Sequence, residues 1–119
     1  MDKITAYIVD DERLAIDVVC QLLNDISEIE IVGTSSKSAE AVKMIVRLKP
    51  QLLFLDIQMP GKTGFQLLEE LDAVPLVIFT TAYDEFALKA FEVNALDYLL
   101  KPIQPERLAE AISKLADKE

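Results

Sequence analysis

Two short apolar runs in this sequence lead straight into carboxylates. Ala6-Tyr7-Ile8-Val9 precedes Asp10-Asp11, and Leu52-Leu53-Phe54-Leu55 precedes Asp56. A carboxylate beside a buried strand is costly unless something positive meets it, so the repeated placement marks an acidic site at one end of a sheet. Two carboxylates ~4 Å apart repel by roughly 4 kcal/mol at an effective dielectric of about 20, so a convergence of Asp10, Asp11 and Asp56 calls for a cation among them. The chain has no histidine and a single cysteine, Cys20. Imidazole is therefore excluded as base, nucleophile or ligand, and no all-protein zinc site can be assembled. Any metal must be held by oxygen, and Mg2+ suits a site that offers a few carboxylates and keeps waters for a phosphate. Thr80-Thr81 and Lys101-Pro102 add hydroxyl donors and a point charge suited to phosphoryl oxygens. Phosphoryl transfer asks a protein mainly for alignment and charge neutralisation, so these groups suffice for it without histidine.

The elements that must position these residues are legible as alternating patterns. Strand-like runs cover 4–9, 29–33, 51–55, 76–80 and 97–100, each short, with little polar alternation, as in strands covered on both faces. Between them lie helical spacings: Leu14, Val18 and Leu22; Val42, Ile45 and Val46; Phe65, Leu68 and Leu71; Ala87, Ala90 and Phe91; and Leu108, Ile112 and Leu115. Thr63 with Gln66 three residues on reads as a capping box, Pro105 suits a first helical turn, and Met59-Pro60-Gly61-Lys62 has the residues of a type II turn. Five strands and five helices in strict alternation predict an α/β fold: a doubly wound, five-stranded parallel sheet with helices on both faces and right-handed crossovers. In the flavodoxin-like order 2-1-3-4-5, the first and third strands are neighbours at the switch point where ligand crevices form, and these are the two that lead into aspartate.

Bulk composition narrows the function further. With 119 residues, 51% of them hydrophobic, the chain can bury one core, and residues 1–119 are expected to form one domain. Met1-Asp2-Lys3 opens without the basic and then apolar pattern of a signal peptide, and no apolar stretch is long enough to span a bilayer, so a cytoplasmic location is expected. A formal charge of −9 disfavours direct binding to nucleic acid or to anionic membranes and favours a cationic or protein partner. Cys20, among Val18, Val19 and Leu22, is expected to be a buried helical thiol.

Four segments, Val9-Asp10-Asp11-Glu12, Leu55-Asp56-Ile57-Gln58-Met59-Pro60-Gly61, Thr80-Thr81-Ala82-Tyr83 and Asp97-Tyr98-Leu99-Leu100-Lys101-Pro102, give the chain a resemblance to the receiver domain of two-component response regulators over almost its whole length. The resemblance implies that Asp56 is the phosphoacceptor, that Asp10, Asp11, Asp56 and the backbone carbonyl of Gln58 hold Mg2+, and that Thr81 and Lys101 meet the phosphoryl group. It also implies that Tyr98 changes position on activation, that Gln58 and Tyr83 tune the rate of dephosphorylation, and that the Lys101-Pro102 bond is cis. A histidine kinase would be the phosphoryl donor. The stretch from Phe91 to Tyr98 looks most like receivers that precede a LytTR-type DNA-binding domain; no such output domain is expected within these residues, and dimerisation on phosphorylation is a further implied property.

Other readings of the same residues make different demands. Asp10 and Asp11 could simply cap a helix, but a cap needs one acid rather than a pair facing a third. An aspartyl-phosphate phosphatase would want a second acid two residues after the nucleophile, where Gln58 stands. A flavodoxin-like cofactor carrier would want a hydroxyl-rich phosphate loop in place of Asp10-Asp11-Glu12. A docking domain that takes no phosphate would bind no Mg2+.

Overall fold

The computed structural model describes residues 3–118; Met1 and Asp2, which enter the reading of the amino terminus, lie outside them with Glu119. The elements follow in the order β1 (Ile4–Val9), α1 (Arg13–Leu23), β2 (Ile29–Ser35), α2 (Ser38–Leu48), β3 (Leu52–Asp56), β4 (Gln58–Met59), β5 (Lys62–Thr63), α3 (Gly64–Glu69), β6 (Leu76–Thr81), α4 (Ala87–Glu92), β7 (Asp97–Leu100) and α5 (Pro105–Ser113). Five strands form one parallel sheet in the order β2-β1-β3-β6-β7, which is the flavodoxin-like order expected from the sequence. The strands β4 and β5 form a small antiparallel hairpin closed by Pro60-Gly61, with Gly61 at φ +79°, as a type II turn requires at its third residue.

Strand parity divides the core into two layers. Ala6, Ile8, Leu52, Phe54 and Ile78 face α1 and α5, where they meet Ile16, Val19, Leu108 and Ile112. Tyr7, Val9, Leu53, Leu55, Val77 and Phe79 face α2, α3 and α4, where they meet Ile45, Phe65, Leu67 and Ala90. Successive residues of a strand point to opposite faces, so the unbroken apolar runs 6–9, 52–55 and 76–79 within β1, β3 and β6 serve both layers.

Local punctuation is as expected at two helices. The Thr63 hydroxyl accepts from the Gln66 amide while the Gln66 side chain accepts from the Thr63 amide, completing the capping box, and Pro105 opens α5. The buried face of α1 differs from expectation. It is Ile16, Val19 and Leu23, whereas Leu14 and Val18 are exposed and Leu22 is half-buried. The helix carries apolar residues around most of its circumference, so spacing alone left its rotation open. Phe91 of α4 is likewise 79% exposed, and Cys20 is half-buried against the core edge rather than enclosed.

Asp97, at the start of β7, anchors α5. Its carboxylate accepts from both Arg107 terminal nitrogens, at 2.8 and 3.1 Å, and from Lys114 Nζ at 2.9 Å. Burial opposes its ionisation, but these donors and the Tyr98 amide hold its carboxyl below the usual carboxylate value. A depressed folded-state pKa contributes stability that is present above the unfolded value, near 3.8, and is lost as pH falls through the folded one. The partners are partly exposed, so Asp97→Asn is expected to destabilise by only about 1 kcal/mol at neutral pH. Urea unfolding at a series of pH values should show the wild-type advantage vanish under acid.

Candidate functional site at the carboxyl edge of the sheet

Parallel strands all end at one edge, and β1 and β3 are direct neighbours there, with Val9 opposite Leu55. Asp10 and Asp11 follow β1, and Asp56 is the last residue of β3. Carboxylate oxygens of Asp10, Asp11 and Asp56 all lie within 4.8 Å of one another. Asp10 and Asp56 are 3% and 4% exposed, too little for water alone to stabilise both charges.

Lys101, just past β7, supplies the nearest positive charge. Its Nζ lies 2.8 Å from Asp10 Oδ2, 3.6 Å from Asp56 Oδ1 and 3.9 Å from Glu12 Oε1. Burial favours its neutral form, yet the hydrogen bond to Asp10 and the charges of Asp56, Asp10 and Glu12 outweigh that and raise its pKa. One ammonium does not balance three acids. Burial, and next the Asp10 charge, push Asp56 up to about 7 against the opposing pull of Lys101, with Asp11 adding to the rise. An all-oxygen trio of acids at this spacing, with one of them driven towards protonation, is a donor set that fits a hard divalent cation.

The open side of the cluster is a cavity of about 210 Å³ lined by Asp11, Glu12, Asp56, Gln58, Thr81, Ala82, Tyr83 and Lys101. Five residues singled out in the sequence beyond the three acids thus fall into two groups. Gln58, Thr81, Tyr83 and Lys101 line the cavity; Tyr98 does not. Of the paired threonines, Thr80 sits opposite Asp56 in the β3–β6 ladder while Thr81 reaches the cavity, its hydroxyl accepting from the Tyr83 amide at 3.2 Å. Tyr98 is joined to the same loop one step away: its hydroxyl donates to the Tyr83 carbonyl and accepts from the Phe86 amide. The Lys101-Pro102 peptide bond is cis.

Two residues of the site were not assigned a role from the sequence. Glu12 lines the cavity and approaches Lys101, and its place directly after the aspartate pair was the available signal. Gly64 lies under the Asp56 backbone: a Cβ there would stand 2.5 Å from the Asp56 carbonyl oxygen and 3.3 Å from Ile57 Cα. Only the contact across the fold reveals that demand.

Comparisons with known proteins bear on the fold and the family. The family model described as the response regulator receiver domain matches residues 6–113. An uncharacterized response regulatory protein of Vibrio cholerae is 48% identical over 114 residues, covering 94% of this chain and 48% of its own length. The transcriptional regulatory protein BtsR of Escherichia coli is 46% identical, with 94% and 48% covered. The chain thus spans about half the length of these curated relatives. Among solved structures, the response regulatory domain of protein mrkE from Klebsiella pneumoniae superposes with a TM-score of 0.86 at 35% identity, covering 97% of both chains.

Proposed function

Since the chain belongs to the response regulator receiver domain family, we propose that it is a phosphorylation-controlled switch of a two-component system, with Asp56 as the phosphoacceptor. The observation that carries this reading is the placing of the Asp56 carboxylate beside Asp10 and Asp11, 3.6 Å from Lys101 and facing an open cavity. An Asp56 oxygen attacks the phosphorus of a donor phosphohistidine. The new O–P bond forms as the N–P bond breaks, and the freed imidazole regains a proton. The chain has no histidine, so the donor belongs to a partner histidine kinase.

Asp10, Asp11, Asp56 and the Gln58 backbone carbonyl would hold Mg2+, which when bound neutralises the acids and the incoming phosphoryl oxygens. Lys101 pairs with the phosphoryl charge and Thr81 donates its hydroxyl to it. Engaging Thr81 takes its hydroxyl from the Tyr83 amide, and Tyr98, which holds the same residue's carbonyl, reports the change to α4 and β7. Gln58 and Tyr83, at the cavity mouth, set how readily water reaches the acyl phosphate.

The domain catalyses no turnover beyond its own phosphotransfer and slow dephosphorylation. Similarity to the transcriptional regulatory protein BtsR supports an output in transcription control; the further proposal, from the resemblance of residues 91–98, is that this output runs through a LytTR-type DNA-binding domain, with dimerisation of the phosphorylated form. A cytoplasmic setting accords with the described residues, in which no helix is long and apolar enough to cross a membrane.

Incubation with acetyl phosphate and Mg2+ should add one phosphoryl group by intact mass. Asp56→Ala should show none, and Lys101→Ala should acquire it at least about tenfold more slowly, the loss of one charge-assisted contact to the transferred group. An adduct of equal size on Asp56→Ala would refute the assignment.

A further inference from the structure

Behind the acidic cluster lies a polar chain, buried at Tyr7 and Ser35 and reaching the surface at Glu40, that the phosphoacceptor chemistry does not use. The Tyr7 hydroxyl, on β1 and 1% exposed, meets the Ser35 hydroxyl at the end of β2, and Ser35 Oγ donates at 3.1 Å to Oε1 of Glu40 in the first turn of α2. A carboxylate only accepts, so Ser35 donates to Glu40 and Tyr7 donates to Ser35. The backbone carbonyl of the same Ser35 accepts from the Asp10 amide at 3.1 Å.

Two backbone features make this possible. The β1–β2 register slips between Ala6 and Tyr7, so that Ala6 faces Ile31 while Tyr7 faces Gly33, and the extra residue brings Ser35 level with Val9. Bulges of this kind redirect a strand end next to a functional site. Gly33 is required beside the ring: a Cβ there would stand 2.5 Å from Tyr7 Cε1, and Tyr7 is packed too tightly to yield. A slipped register, a glycine and a buried tyrosine therefore converge on one residue, Ser35, whose side chain they hold and whose carbonyl accepts from the Asp10 amide.

We infer that Tyr7 and Ser35, backed by Glu40, are positioning residues for Asp10, fixing the backbone from which its carboxylate enters the cation site. The inference rests on the proposed Mg2+ site for its consequence but on the Ser35–Asp10 hydrogen bond for its geometry. Partners one step removed from a metal ligand commonly change metal affinity 10–100-fold when removed, and a neutral backbone contact belongs at the lower end. Tyr7→Phe and Ser35→Ala should each weaken Mg2+ binding, measured by calorimetry, about tenfold. In chelator, both should speed hydrogen exchange of the Asp10 amide relative to that of Leu96, whose partner Val77 lies elsewhere in the sheet.

Ser35→Thr, which keeps the hydroxyl, should match the wild type in both readouts. Leu115→Ala, in the other core layer, should lower the thermal midpoint and leave the Mg2+ dissociation constant alone. Unchanged Asp10 exchange and unchanged Mg2+ affinity in Tyr7→Phe and Ser35→Ala would overturn the inference. If the wild type bound no Mg2+ the proposed cation site would fall, and Asp10 exchange in chelator would still decide the positioning claim.

Discussion

Asp56→Asn, freed of divalent metal, is expected to unfold at a higher temperature than the wild type at about pH 8, by roughly 8 °C. Burial, and then the Asp10 charge, raise the Asp56 pKa from 3.8 to about 7, with Lys101 pulling the other way. That rise is roughly 3 units, or about 4 kcal/mol of opposition to folding by the ionised group, of which an uncharged isostere recovers a part. The sign follows from proton binding. The folded state holds the Asp56 proton more tightly than the unfolded chain, so wild-type stability falls as pH rises from about 4 to about 7 and the loss is complete above that window. The two proteins should therefore converge in acid and separate towards neutral pH. Saturating Mg2+ should raise the wild-type midpoint and leave the variant little changed, reversing the order. Scanning calorimetry in chelator and in Mg2+ across this range measures all three outcomes, and a variant less stable than wild type in chelator at about pH 8 would show that the acids are not in conflict.

Gly64→Val is expected to cost about 3 kcal/mol of stability and to slow phosphorylation by acetyl phosphate at least about tenfold. Its Cβ would stand 2.5 Å from the Asp56 carbonyl oxygen and 3.1 Å from Leu55 Cγ. The first of these is backbone at the end of the central strand, and it cannot swing aside as a side chain would. The Gly64 amide also donates to the Ile57 carbonyl at 2.8 Å, so the start of α3 cannot move off without losing that bond. The strand end must shift instead, and it carries the phosphoacceptor. Urea unfolding and the rate of mass increase should thus change together; a variant with unaltered phosphorylation would show that the β3–α3 junction relaxes away from Asp56.

What the sequence disclosed, and what it withheld, divides along the range of the interactions involved. Strand runs, the capping box at Thr63 and the turn at Gly61 are local, and each appears where its residues indicate. The meeting of Asp10 and Asp56 is non-local, but it follows once the strand order is known, because parallel strands share one edge. The rotation of α1 was not legible: Leu14 and Val18 continue the apolar spacing as well as Ile16 and Val19 do, and only docking on the sheet chooses between them. Nor were Gly33 and Gly64, whose close contacts with Tyr7 and Asp56 lie outside their own strand or helix. The choice of Thr81 over Thr80 came from family likeness rather than from strand pattern, and the alternation of faces along β6 supplies its physical basis.

The two core layers differ in what they touch. Tyr98, hydrogen-bonded to the β6–α4 loop at Tyr83 and Phe86, and Phe86 itself pack against the layer shared by α2, α3 and α4. The layer under α1 and α5 contains neither. In the proposed switch, rearrangement of that loop would disturb one half of the interior and leave the packing of the other half in place, so that a chain this small would change shape without approaching the unfolding transition.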